Sequence, residues 1–151
     1  MFIHWDVSLE TGQPLIDAEH RLLVFLFRKL DVAVKTGESQ MAINHVISEL
    51  KCFVQFHFAS EENVMRETNY PNLLIHQTQH MDLLSELNVL AAKVIQRREF
   101  PEDLLFFLNN WLFDHIANHD QHVALHVRDA TARPIAEHTF GEYVTSSSSN
   151  A

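Results

Sequence analysis

Four stretches of this chain repeat apolar residues at steps of three and four, and each repeat keeps a histidine or carboxylate in phase with the Leu, Ile and Val around it. Such steps mark one face of an α-helix, and they constrain the fold more than any other feature. The first stripe runs His20, Leu23, Phe27, Leu30, Val34 and stops at Gly37. The second runs Ile43, Ile47, Leu50, Val54, His57, Glu61, Val64 and ends before Asn69-Tyr70-Pro71. Pro71 suits the first turn of a third helix, with stripe Leu73, His76, His80, Leu83, Leu87, Leu90, Val94 and with Lys93, Arg97 and Arg98 near its C-terminus. Pro101-Glu102-Asp103 opens a fourth, which carries Leu104, Leu108, Leu112, His115 and Ile116.

Short connections between long amphipathic helices make sequence neighbours antiparallel. The expected fold is therefore all-α, an up-down-up-down four-helix bundle. Only 3 Gly and 4 Pro argue against an all-β alternative, which needs many tight turns. The length, 151 residues, suits one domain. The reading assigns 1–130 to the bundle and 131–151, ending in Ser146-Ser147-Ser148-Ser149-Asn150-Ala151, to a tail or linker. Residues 1–18 read as an irregular arm, with Trp5 anchoring it against the bundle.

Several function classes fall away at this point. A formal charge of -9 opposes binding to nucleic acid or to an anionic membrane. The longest apolar run, Leu22 to Phe27, is too short to span a bilayer, and no secretory signal opens the chain, so the cytoplasm is the expected location. No glycine-rich phosphate loop or nucleophile–base arrangement supports a kinase or hydrolase. With Cys52 alone there is no internal disulfide or thiolate cluster, and its apolar neighbours suggest a packed small hydrophobe.

The inward histidines carry the message. Side chains at i and i+4 share a helix face, so His57 converges with Glu61 and His76 with His80. A buried carboxylate among imidazoles, with no Lys or Arg on the same stripe, is costly unless something compensates it. A bound cation does so most simply. Singly, a core histidine or one His-x-x-x-His pair is ordinary; here all four helices aim such groups at one interior. The candidate ligands are His20, His57, His76, His80, His115, Glu61 and Asp120.

Seven protein ligands exceed what one tetrahedral zinc takes. Imidazole with carboxylate suits iron, manganese or zinc and excludes an iron–sulfur cluster. If two metals share both carboxylates and one solvent-derived oxygen bridge, the metal with three histidines is complete. The one with two keeps a single open position, suited to a small diatomic ligand.

This constellation resembles the hemerythrin family, specifically the bacterial hemerythrins. The resemblance runs from Trp5 to about Asp120. It rests on Trp5 with Gly12 and Ile16-Asp17-Ala18-Glu19-His20, then on His57-Phe58-Ala59-Ser60-Glu61-Glu62. Tyr70-Pro71 with His76 and His80, and Trp111-Leu112-Phe113-Asp114-His115-Ile116 with Asp120, complete it. The resemblance implies two iron ions joined by an oxo or hydroxo bridge. His76, His80 and His115 would complete one, His20 and His57 would hold the open one, and Glu61 and Asp120 would bridge. It further implies that the reduced pair binds O2 reversibly, beside an apolar pocket at Leu23, Phe58, Trp111 and Ile116. Val123 departs from the aromatic residue that many relatives carry three positions after the bridging aspartate, a difference that bears on pocket packing or solvent access and not on the ligands.

The expected function is thus non-enzymatic O2 binding for storage, delivery or sensing, with O2 as ligand and an oxygen-requiring enzyme or signalling protein as the unidentified partner. Two rivals use the same ligands: a di-iron enzyme acting on peroxide or nitric oxide, and a sensing input module of a signalling protein with 131–151 as its linker. Metal scavenging without gas chemistry is a weaker third.

One geometric problem remains in the fourth helix. Residues 115 and 120 are separated by about 140° on an ideal α-helix. Continuing the upstream phase would bury His119, His122 and His126, whereas slipping by one buries Asp120, Val123, Ala124 and Val127. A π-bulge between His115 and Asp120 is therefore predicted, which leaves His119, His122 and His126 facing outward. His4, His45 and His138 show no recognisable spacing.

Overall fold

The computed structural model describes residues 4–132. Four rods make the bundle. They are α1 (Pro14–Lys35), α2 (Gln40–Glu67), α3 (Leu73–Ile95), and a fourth built from α4 (Pro101–His115), a π-helical turn (Ile116–Asp120) and α5 (Gln121–Ala132). α1 packs on α2 and α4, and α3 packs on α2 and α4, which closes the antiparallel ring expected from the sequence. No helix among the described residues is long and apolar enough to cross a membrane. Thr131 and Ala132 continue α5; the rest of the expected tail, and His138, lie outside the described residues.

Local chemistry sets the boundaries. α1 begins at Pro14, earlier than the irregular stretch to residue 18 implied. The cause lies in the side chains before it. Gln13 caps Ile16 N, and the buried Asp17 carboxylate accepts from Thr11 N at 2.7 Å, Thr11 Oγ1 at 2.8 Å and Gly12 N at 3.0 Å. Gly12 holds φ +81°, a conformation open to glycine at little cost. At the next corner α1 ends with Gly37 at φ +70°, beyond which Ser39 caps α2 through Ala42 N. Pro71 lies in the turn ahead of α3 rather than in its first turn, and Leu73 opens the helix.

The N-terminal arm is tied down. A short 3-10 turn, Val7–Leu9, buries Leu9 and touches the π turn, and Gln121 Nε2 donates to Glu10 O at 2.9 Å. Trp5 packs on the core with the Arg21 guanidinium 4.9 Å above its ring.

The core has two apolar parts. The larger includes Leu23, Phe27, Leu30, Leu50, Leu87, Leu108 and Leu112; the smaller joins Ile16, Met65, Val123 and Val127. On α1, α2 and the fourth rod the candidate ligands lie in sequence between a member of one part and a member of the other, and on α3 between Leu73, packed against the smaller part, and Leu87 of the larger. A polar layer is thus enclosed by hydrocarbon above and below. Cys52 is exposed, contrary to the packed position expected of it. Two residues after Leu50 on an α-helix means a rotation of about 200°, which carries the thiol to the outer face.

Candidate metal centre

Every candidate ligand is buried: His20, Glu61 and Asp120 at 0% exposure, His57 at 1%, and His76, His80 and His115 at no more than 3%. They fall into two clusters of potential ligand atoms, Glu61, His76, His80, His115 and Asp120 in one, and His20, His57 and Asp120 in the other. In the first, His80 Nε2 lies 3.0 Å from His76 Nε2 and 3.1 Å from His115 Nε2. Glu61 Oε2 is 3.2 Å from both His76 Nε2 and His80 Nε2, and Asp120 Oδ1 is 3.0 Å from His115 Nε2. In the second, Asp120 turns its other oxygen, Oδ2, to His20 Nε2 at 3.0 Å. One carboxylate therefore faces both clusters.

The π turn makes this possible. It occupies Ile116–Asp120, as the phase argument required, and Asp120, Val123, Ala124 and Val127 are all buried beyond it. The outward placement expected of the three downstream histidines holds only for His122, which is exposed and donates from Nδ1 to Asn118 O at 2.9 Å. His119 is half-buried, its ring centroid 5.2 Å from that of His115 and 6.2 Å from that of His76. His126 is also half-buried and donates from Nε2 to Thr68 O at 2.8 Å beyond the end of α2, with its ring edge on Tyr70. Rephasing carried these side chains to the flanks of the rod, where neighbouring elements cover two of the three.

The donor atoms fit a cation better than they fit one another. Of the six buried side-chain polar atoms without a hydrogen-bond partner among the described residues, five belong to His20, Glu61 and Asp120. Three of the five, His20 Nε2 and both Asp120 oxygens, meet an ionic partner at 3.0 Å without hydrogen-bond geometry. His20 Nδ1 and Glu61 Oε1 have no hydrogen-bond partner among the described residues, an arrangement costly in a folded interior. With bonds of about 2.1 Å, adjacent donors in an octahedral shell sit roughly 3.0 Å apart, against about 3.4 Å in a tetrahedral one. The 3.0 and 3.1 Å separations among the imidazole nitrogens match the octahedral spacing.

Electrostatics favour ionised carboxylates. Burial pushes Asp120 up, but the charge and close approach of His115, with His20, hold it well below the ordinary carboxylate range. Burial and the like charge of Asp120 push Glu61 up, and His76, His80 and His57 outweigh them, leaving it below its ordinary value. Burial lowers His80, against the pull of Glu61. Burial also opposes charge on His115, yet Asp120 prevails and raises it. Neutral imidazole and ionised carboxylate are the forms that ligate a metal.

On the side of the smaller cluster lies a tight cavity with no room for a water molecule, bounded by His20, Leu23, His57, Trp111, Leu112, His115, Ile116 and Asp120. Leu23, Trp111 and Ile116 are among these residues. Phe58 does not line this cavity. Its ring stacks on His80 at 3.8 Å and 7°, with an edge contact to Trp111 at 5.7 Å. Two residues escaped assignment from sequence: Glu19, whose Oε2 is 2.8 Å from His57 Nδ1, and Glu62, whose Oε1 is 3.1 Å from His80 Nδ1. Metal-bound histidines commonly give their second nitrogen to a carboxylate. An acidic residue directly beside a proposed ligand, Glu19 before His20 and Glu62 after Glu61, was the available signal.

Imidazoles and carboxylates from all four rods, packed around one interior point, define a helical-bundle cation-binding domain. Residues 11–125 match the family model described as hemerythrin HHE cation binding domain, and the chain belongs to the hemerythrin family. It is 29% identical over 140 residues to a bacteriohemerythrin of Stenotrophomonas maltophilia, covering 93% of this chain and 91% of that protein. A bacteriohemerythrin of Pseudomonas aeruginosa is 27% identical over 143 residues, 95% and 93% of the two chains. Another, from Clostridium acetobutylicum, is 28% identical over 126 residues, 80% and 97%. Among solved structures, a leucine-to-alanine mutant of a hemerythrin shares the fold with a TM-score of 0.76 at 24% identity, over 84% of this chain and 98% of that one.

Proposed function

We propose that this chain binds dioxygen reversibly at a pair of iron ions held in the polar layer, and that it acts as a binding protein and not as an enzyme. The observation that carries the reading is the unequal donor count on the two sides of Asp120, five residues against three, with Leu23, Trp111, Leu112 and Ile116 packed beside the poorer side. His76, His80 and His115 with Glu61 and Asp120 would hold one ion. His20 and His57 with Asp120 would hold the other, and Glu61 Oε1, buried without a partner, is suited to supply the remaining shared oxygen. The names of the relatives, bacteriohemerythrins, point the same way.

When bound, the reduced iron pair supplies the electrons through which dioxygen is held reversibly. The chain's own residues do the rest. Leu23, Trp111 and Ile116 wall the cavity with apolar surface and exclude water, which disfavours escape of a charged, partly reduced ligand. Phe58 braces the His80 ring from behind. Five neutral imidazoles against two carboxylates give less negative charge than the carboxylate-rich sites of oxygen-activating bundles, so high-valent iron is poorly supported. Storage, delivery to an oxygen-requiring enzyme, and sensing for a signalling partner all draw on this one property.

Metal analysis combined with absorption spectra before and after admitting air tests the proposal. Two irons per chain and a visible band that appears with O2 and disappears on its removal are expected. A single bound ion, or a band that never reverses, would overturn it.

A further inference from the structure

His57 and His80 each turn one ring nitrogen toward a carboxylate outside the ligand clusters. The two carboxylates serve different sides of the centre, since His80 belongs to the five-residue cluster and His57 to the three-residue cluster. They are not equivalent. Glu62 accepts from His80, from Gln77 Nε2 at 2.7 Å and from the Arg66 guanidinium at 3.1 Å, so a cation already shares its charge. Glu19 accepts from His57 and from the neutral Ser60 hydroxyl at 2.6 Å, and no Lys or Arg pairs with it among the described residues. Its side chain is only 14% exposed, so solvent screens that charge poorly.

A carboxylate that accepts the N–H of a ligating imidazole shifts negative charge into the ring and makes its other nitrogen a stronger donor. A stronger donor favours the higher oxidation state of the metal it holds. We propose that Glu19, oriented by Ser60, is a positioning and charge-tuning residue for His57 that biases the open-sided iron toward its ferric form and makes the two irons electronically unequal. This inference rests on the di-iron reading above. Glu62 is the internal control, because the same hydrogen bond is present there with its charge offset by Arg66.

Substituting Glu19→Gln tests the idea with the least disturbance. The amide oxygen can still accept from His57, and the amide NH2 can donate to Ser60 Oγ, so only the charge is removed. The readout is the reduction potential of the iron-loaded protein by spectroelectrochemistry. The variant should keep two irons per chain, and at fixed applied potential its ferric-to-ferrous ratio should fall by about tenfold, the lower end of outer-sphere effects on metal affinity, here acting on the ferric ion alone. Glu62→Gln should shift the ratio less. In the iron-free protein, 15N spectra of the imidazoles should show His57 fixed with its proton on Nδ1, and Glu19→Ala should release that preference. Equal potentials in the wild type and Glu19→Gln would overturn the proposal, as would a larger shift in Glu62→Gln. Loss of iron from Glu19→Gln would assign the residue a purely structural role and overturn it too. A wild type without an iron pair would remove the functional reading itself, which metal analysis detects separately.

Discussion

His115 Nε2 and Asp120 Oδ1 lie 3.0 Å apart although a regular α-helix would turn their side chains well away from each other. The π turn between them supplies the missing rotation, and the ligand set depends on it. Deleting the exposed Asn118 should leave His115 and Asp120 four residues apart, about 40° on a regular α-helix, so the π turn becomes an α turn with both side chains still facing the polar layer and Val123 and Val127 still buried. Retention of two irons per chain is expected. A deletion variant that loses iron would refute the account of the π turn as one extra residue.

The seven buried donors should differ sharply from the histidine on the surface. Glu61→Ala and His76→Ala should each abolish binding of two irons per chain, because each removes a donor that no neighbour replaces. His122→Ala should bind normally, since His122 is exposed and bonds only to Asn118 O. Metal analysis of the three variants separates the outcomes.

The Asp17 carboxylate collects three hydrogen bonds from Thr11 and Gly12 and fixes the entry into α1, a few residues before His20. Asp17→Ala should cost about 1–3 kcal/mol of stability by leaving part-buried amides without an acceptor. Chemical denaturation of the iron-free protein measures this directly, and an unchanged midpoint would contradict it.

Acid should destabilise the iron-free protein. Asp120, Glu61 and His80 all sit below their ordinary values in the fold, so there they bind fewer protons than in the unfolded chain. Stability is therefore lost as pH falls, first through the unfolded imidazole value near about 6.5 and then through the carboxylate range near about 4. His115, which is raised, acts in the opposite sense: its contribution is complete below the unfolded imidazole value and is lost as pH rises through its folded value. Urea midpoints between about pH 7 and about pH 4 should fall toward acid; a steady rise would show that His115 dominates.

Much of the centre was legible because helical phase is arithmetic. His20, His57, His76 and His80 keep step with Leu and Val, and the mismatch between His115 and Asp120 could be counted and answered with one extra residue. What escaped depends on which side chain meets which across the bundle. Glu19 and His57 lie on different rods, as do His126 and Thr68, so nothing in the spacing within one helix reveals either pair. The contact of Phe58 was hidden for the same reason: its position on α2 is inward, but only the tertiary packing decides that its ring stacks on His80. Cys52 was a different failure, where apolar neighbours in sequence outweighed a rotation that could have been counted.

The dislocation in the fourth rod also reaches past the ligands. Every residue after Asp120 inherits its changed heading, including Val123 and Val127, which join Ile16 and Met65 to seal the far end of the bundle. Aiming Asp120 into the polar layer and closing that end are consequently one event: the turn that brings the carboxylate inward also seats the hydrocarbon plug behind it.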